Sequence, residues 1–451
     1  MDFRPYVNKY KDEIIEALKQ LVKINSILDF STKAIGAPFG KGIHDALTFM
    51  EEKAQKDGFK VLNDEGYCLN ITLEGMNKES IAVLGHLDTV PVDNNWKHHP
   101  FGAEIEDGKM YGRGTTDDKG PVIAAYYALK ILKDENIKLN KSVELLLGTD
   151  EETGWRGIEH YASKYALPEI GFSPDAEWPL INGEKGILRM DIKGNTTNDF
   201  EIKAGNVYNA VIGDAWGTTK IDLIDPFYQY LQENNLDGEV SFRGDRYCYH
   251  LIGKTAHAMS PEIGINAGLH LARFFNEHFN HPTLNFMTNV LFEDYNMNKL
   301  GMRHEHPVMG LTTLNVGIIR INEKESYFTF DIRYPEGFQF AKFKDAFKNI
   351  LACYNLDYDL KEDKEVHYID PESNLVKTLL ASYAKYTNES NPKPRSIGGG
   401  TYAKVLKQGV AFGLEDPNMP SVCHISDEYI ELDRLFEAVT IYLDAIYELC
   451  K

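Results

Sequence analysis

The segment Ser142 to Gly148 reads SVELLLG and runs straight into Thr149-Asp150-Glu151-Glu152-Thr153. A short apolar run of this kind is a strand buried on both faces, as in a parallel sheet covered by helices. Three consecutive acids at its end repel one another and resist burial unless a cation compensates them. Any fold for this chain must therefore bring a buried strand to an end among charges that need a partner.

The same pattern occurs upstream. Ile81 to Gly85 (IAVLG) leads directly into His86-Leu87-Asp88, and Leu69 to Leu73 is another short apolar run. Between them lie helical signals. Ile14, Ile15, Leu18, Leu21 and Val22 share one face of a first helix. Ile43, Leu47, Met50 and Ala54 share a face of a second that stops near Gly58, and a third runs from about Pro121 to Lys133. Strands alternating with helices predict an α/β domain with a mostly parallel central sheet.

The texture changes near residue 184. Val240 to Ile252 alternates like strands, Ala267 to Phe279 reads as helix, and Leu311 to Tyr334 reads as two strands about a polar turn at Asn322 to Ser326. A helix follows over about Phe340 to Ala352, and after residue 366 the helix, glycine loop and strand pattern returns. The predicted organisation is one α/β domain built from 1–183 and 367–451, interrupted by an inserted α+β domain over 184–366. A chain of 451 residues is long enough for both.

Composition narrows the function classes. Acidic residues number 68 against 48 basic, a formal charge of −20, which repels phosphate backbones and argues against nucleic-acid or anionic-membrane partners. The longest apolar runs are too short to span a bilayer, and the N-terminus passes straight into a helix without a signal peptide, so a cytoplasmic protein is expected. The five cysteines are scattered with no C-x-x-C pair, which points away from a disulfide framework or a cysteine-built zinc site. His98, His99, His278, His281, His304 and His306 lie in polar stretches and read as surface or loop residues.

Chemistry concentrates in three clusters, each placed where open α/β sheets put their sites, at strand ends. His86 and Asp88 lie two apart on an extended chain and point the same way. Gly112-Arg113-Gly114-Thr115-Thr116-Asp117-Asp118-Lys119-Gly120 resembles a nucleotide loop, but Asp117 stands where the third glycine would be and there is no G-K-[ST]. Carboxylates in that position oppose a phosphate and suit a hard oxygen ligand. In the third cluster, adjacent Glu151 and Glu152 can divide the work of metal ligation and proton transfer. Singly, the clusters are also what a structural histidine, a helix-capping aspartate and a solvated acidic turn would give. Together they supply the donors expected for one or two divalent ions.

The strings GHLDTVP, YGRGTTDDKGP and GTDEETG resemble the aminoacylase, carnosinase and succinyl-diaminopimelate desuccinylase family of two-metal amidases. Further motifs, among them PFGKGIHDAL, SPDAEWP, GKTAHAMSPEIGINA, DIRYPEG, SIGGGTYAK and CHISDEYIELDRL, make the chain most similar to the bacterial Xaa-His dipeptidases, the carnosinase-like dipeptidase V branch. The resemblance implies that His86 and Asp175 hold one metal, Glu152 and His424 the other, and that Asp117 bridges them. It implies Asp88 as the residue that orients His86, Glu151 as general base, and a cis peptide between Asp117 and Asp118. The inserted domain would be a lid, a doubled ferredoxin-like module, carrying His257 for the oxyanion and Arg333 for the substrate carboxylate. Gly398, Gly399, Gly400, Thr401 and Tyr402 would offer backbone N–H groups to the same carboxylate. The one departure is Cys423 before His424, where relatives carry other residues around the histidine; His424 and Glu428 keep their spacing.

The expected activity is hydrolysis of dipeptides by a water held between the metal ions and deprotonated by Glu151. Two divalent ions are implied, zinc first, with manganese or cobalt as alternatives. A monomer is expected, because a doubled lid imitates the pairing of two subunits. The competing readings are an N-acyl-amino-acid amidohydrolase or desuccinylase of the same family and, from another class, a non-catalytic peptide-binding protein.

Overall fold

The computed structural model describes residues 1–451, which form two compact units. The first comprises Met1–Gly183, Ile369–Arg395 and Gly400–Lys451; the second comprises Glu184–Tyr368 with Ser396–Gly399.

The first unit is an α/β layer. Four strands at the middle of its sheet, in the order Ser142–Gly148, Ser80–His86, Ile170–Ser173 and Gln408–Ala411, are mutually parallel. Antiparallel strands extend it on both sides, Cys68–Leu73 with Lys60–Asp64 on one and Ile181–Glu184 on the other. The parallel strands are almost wholly buried, as their unbroken apolar sequences require. Helix Lys119–Asp134 packs against helices Arg4–Val22 and Leu432–Cys450, with Val122, Ala125, Leu129 and Leu132 inside. The register sets His86 opposite Gly148, so the segments following these two strands leave the sheet at the same carboxyl edge. The Asp117–Asp118 peptide is cis, as are Trp178–Pro179 and Gly413–Leu414.

The second unit has its own core and an eight-stranded antiparallel sheet. One half runs Thr313–Ile321, Ser326–Tyr334, Gly186–Lys193, Asp357–Lys364. Numbered along the chain, these are the second, third, first and fourth strands of a ferredoxin-like unit, with helix Phe340–Ala352 before the last. The other half repeats that order with Asp237–Arg243, Arg246–Ile252, Asp214–Thr219 and Phe200–Ala204. There the fourth place is filled by a strand that precedes the others in the chain. The inserted module is thus doubled.

Two local expectations are corrected. His281 lies in a loop as expected but not at the surface: it is buried, with Phe200 edge-on to its ring at 5.5 Å. The helical stretch predicted over Ala267 to Phe279 ends at Asn276. The five cysteines are unpaired, and no helix is long and apolar enough to cross a membrane.

Candidate metal centre

At the carboxyl edge of the first unit, the three clusters and two later segments meet. His86 ends its strand with the ring fully buried. Its Nδ1 lies 3.0 Å from the backbone carbonyl of Asp88, which fixes that nitrogen as the donor. Nε2 is left facing Asp117 Oδ1 at 3.0 Å and Asp175 Oδ2 at 3.6 Å. His424 approaches from the far end of the chain, its Nε2 2.8 Å from Asp117 Oδ2 and 3.2 Å from Glu152 Oε1. Asp117 therefore stands between the two imidazoles, one oxygen turned to each.

The acidic side chains around this pair are braced. Asp88 accepts the backbone N–H groups of Glu151 at 3.0 Å and Glu152 at 3.1 Å, so its side chain fixes the acidic turn while its carbonyl fixes His86. Asp118 begins the helix without capping it and instead accepts the His86 backbone N–H at 2.9 Å. Asp150, first of the three acids, is consumed structurally: it holds the Arg156 guanidinium through two contacts of 2.6 Å. Glu151 accepts from the indole N–H of Trp155 at 2.9 Å.

Charge is the governing feature. Burial, with Asp117 adding repulsion, raises the Asp175 carboxyl to about 8. Burial also lifts Glu151 well above the carboxylate range, reinforced by Asp175, Glu152 and Asp88 and opposed by His86. Glu152 rises through burial and the charge of Asp117. Burial works against protonation of His86, but its bonds to Asp117 and Asp88 and the charge of Asp175 outweigh it and raise the imidazole. His424 is raised to about 11 by Asp117 and Glu152. Asp117 is the exception: burial pushes it up, yet the two imidazoles hold it below its ordinary value. The cluster is short of positive charge and takes up protons to make good the deficit.

The donors fit divalent ions. Ligand atoms of His86, Asp117 and Glu152 lie within 4.8 Å of one another, as do those of His86, Glu151 and Asp175. With Nδ1 of His86 already committed to a carbonyl, an unprotonated Nε2 would aim its lone pair at two carboxylates. A cation there satisfies all three groups.

One residue of this region went unassigned from sequence. Glu428 is fully buried and accepts four donors: Arg113 Nη1 at 2.7 Å and the backbone N–H groups of Gly114, Thr116 and Asp117 at 3.1, 2.8 and 3.1 Å. It shapes the loop that presents Asp117. Its fixed spacing from His424 was the available signal.

The other predicted residues stand as follows. Thr401 caps a short turn, accepting from the Ala403 N–H at 3.2 Å. Tyr402 is buried, its ring edge-on to Trp155 at 5.5 Å and to His86 at 6.4 Å. Gly400 belongs with these two to the first unit, whereas Gly398 and Gly399 belong to the second, as do His257 and Arg333. His257 is exposed, on the loop after Arg246–Ile252. Arg333 is buried, bound to Asp331 at 2.5 and 3.1 Å and donating to the Gly398 carbonyl at 2.6 Å.

The profile of Peptidase family M20/M25/M40 matches residues 82–448. The chain belongs to this peptidase family. It is 37% identical over 463 residues to a protein of Staphylococcus aureus (strain bovine RF122 / ET3-1) named "Putative dipeptidase", with 98% of each chain covered. Among solved structures, the peptidase resembles aminoacylhistidine dipeptidase from Vibrio alginolyticus, at 17% identity and a TM-score of 0.58 over 97% of this chain and 96% of that one. It also resembles the Bacillus subtilis YXEP protein, described as a dinuclear metal binding peptidase, at 11% identity and a TM-score of 0.53 over 98% and 99%. The chain is thus a peptide hydrolase with the M20 fold: an α/β catalytic domain and an inserted second domain.

The bracing by Glu428 yields a prediction. Glu428→Ala leaves the Arg113 guanidinium, buried beside Trp96, without its carboxylate. Removing one partner of a buried pair costs about 3–5 kcal/mol, so the unfolding free energy measured by chemical denaturation should fall by about that amount. A variant as stable as the wild type would show that the loop does not depend on this residue.

Proposed function

We propose that this peptidase hydrolyses dipeptides with a free α-amine, and that His86 and Asp175 hold one divalent ion, Glu152 and His424 a second, and Asp117 both. The observation that carries the reading is the division of labour in the acidic turn. Glu152 faces His424, whereas Glu151 is turned to Trp155 and remains for proton transfer. Imidazole with carboxylate suits zinc, and the oxygen-rich remainder also accepts manganese or cobalt. When bound, two such ions acidify a water and polarise the scissile carbonyl.

The chain's own residues do the rest. Glu151 takes a proton from the attacking water and returns it to the leaving amine. Asp88 keeps His86 and the Glu151–Glu152 turn in fixed relation. On the family pattern, His257 meets the charge developing on the carbonyl oxygen, and Arg333 with the Gly398–Tyr402 segment receives the substrate's carboxylate. Preference for dipeptides follows, with Xaa-His among them. The names of the Staphylococcus and Vibrio relatives point the same way.

Metal-reconstituted protein should cleave Ala-His and β-Ala-His but neither N-acetyl-Ala nor Ala-Ala-Ala, as measured by amino-acid release. Glu151→Ala should lose at least about 10²-fold in kcat. Cleavage of N-acetyl-Ala alone would move the protein to the aminoacylases.

We further propose a monomer, since the doubled module supplies within one chain what a pair of single modules would supply between two. Mixing Glu151→Ala with His257→Ala should then restore no activity. Recovered turnover would mean that the site is shared between subunits.

A further inference from the structure

Trp155 enters none of the roles described above, yet it makes the one side-chain hydrogen bond seen on Glu151. Its indole Nε1–H donates to Glu151 Oε1 at 2.9 Å, four residues along a turn that is closed on itself. The Trp155 backbone N–H donates to the Asp150 carbonyl at 2.7 Å, and Asp150 in turn grips Arg156. Trp155 adopts a left-handed φ of 59°, uncommon for a bulky residue, which carries its indole back over the turn. The indole is stopped from behind by Tyr402, edge-on at 5.5 Å. Tyr402 is itself immovable: it is buried against Gly148, where an added Cβ would stand 2.5 Å from its ring. The same tyrosine lies edge-on to His86, so one aromatic ring backs both a proposed ligand and the holder of the proposed base.

We propose that Trp155 is the positioning residue of the general base, pinning one oxygen of Glu151 so that the other is presented for proton transfer. This rests on the reading of Glu151 as base. The choice of side chain has a chemical reason. An indole N–H only donates and exchanges no proton under these conditions, so it orients the carboxylate without competing for the proton in transit. Oε1 can accept from it whether Oε2 is bare or protonated, more strongly when the carboxylate is charged, so the contact survives both halves of the catalytic cycle. A lysine or arginine in its place would hold the carboxylate in its charged form and blunt its basicity.

The test removes the N–H alone. Trp155 is replaced by 3-benzothienylalanine, an isostere with sulfur in place of N–H, and separately by phenylalanine. A hydrogen bond to a charged group corresponds to roughly a tenfold or greater change, so kcat should fall about tenfold in both, with KM and metal content unchanged and, in the isostere, the melting temperature unchanged as well. A second readout needs no turnover. The chain has four tryptophans, and the Trp155 indole 15N–1H resonance, assigned by its absence in Trp155→Phe, should shift in Glu151→Ala. Wild-type kcat in the isostere, a fall accompanied by loss of metal, or an indole resonance indifferent to Glu151→Ala would each overturn the proposal. A wild type inert towards Ala-His rejects the dipeptide reading instead, and the kinetic comparison then runs on the peptide that it does cleave.

Discussion

Everything at the catalytic edge depends on one imbalance: four carboxylates, of Asp117, Glu151, Glu152 and Asp175, crowd two imidazoles, that of His86 buried and that of His424 exposed. Left to themselves such groups would either stay in water or take up protons. The raised pKa values of Asp175, Glu151 and Glu152 record that pressure. The fold holds the groups in place by spending backbone donors on the acids that stand behind them. Asp88 and Asp118 take backbone N–H groups of the turn and of the strand end, and Glu428 takes three from the Asp117 loop. The acids facing the imidazoles are thereby left short of partners of their own.

That division explains the sheet as well as the site. Parallel strands end together, and the register of His86 with Gly148 delivers imidazole and acidic turn to the same edge. Helix Lys119–Asp134 starts there too, so the Asp117–Asp118 pair sits at its head. His424 has to come from more than three hundred residues away, and it arrives on a loop whose geometry Glu428 ties to the Arg113–Asp117 segment.

Much of this was legible in the sequence because it is local. Apolar runs that stop at charges gave the strands Ser80–His86 and Ser142–Gly148 and the edge to which His86, Glu151 and Glu152 belong. The inserted unit was less legible: strands Phe200–Ala204 and Asp214–Thr219 alternate between buried and exposed residues over only five and six positions, and Gly186–Lys193 breaks its apolar run with Arg189 and Asp191. His281 misled because local polarity says nothing about an aromatic core folding over it. Asp150 and Glu151 look alike in sequence, and only Arg156 and Trp155 tell them apart. Glu428 was visible as a spacing, but its four donors arise from residues about 312 positions away, which only the fold brings close.

The central claim is that this charge deficit is met by two divalent cations. The most direct measurement is calorimetric titration of metal-free protein with zinc or manganese in buffers of different ionisation enthalpy, which counts ions bound and protons released together. The account predicts two ions per chain, with net proton release because the cluster holds protons at neutral pH in their place, and loss of both ions in Asp117→Ala. Binding of fewer than two ions, no proton release, or unchanged binding in Asp117→Ala would contradict it.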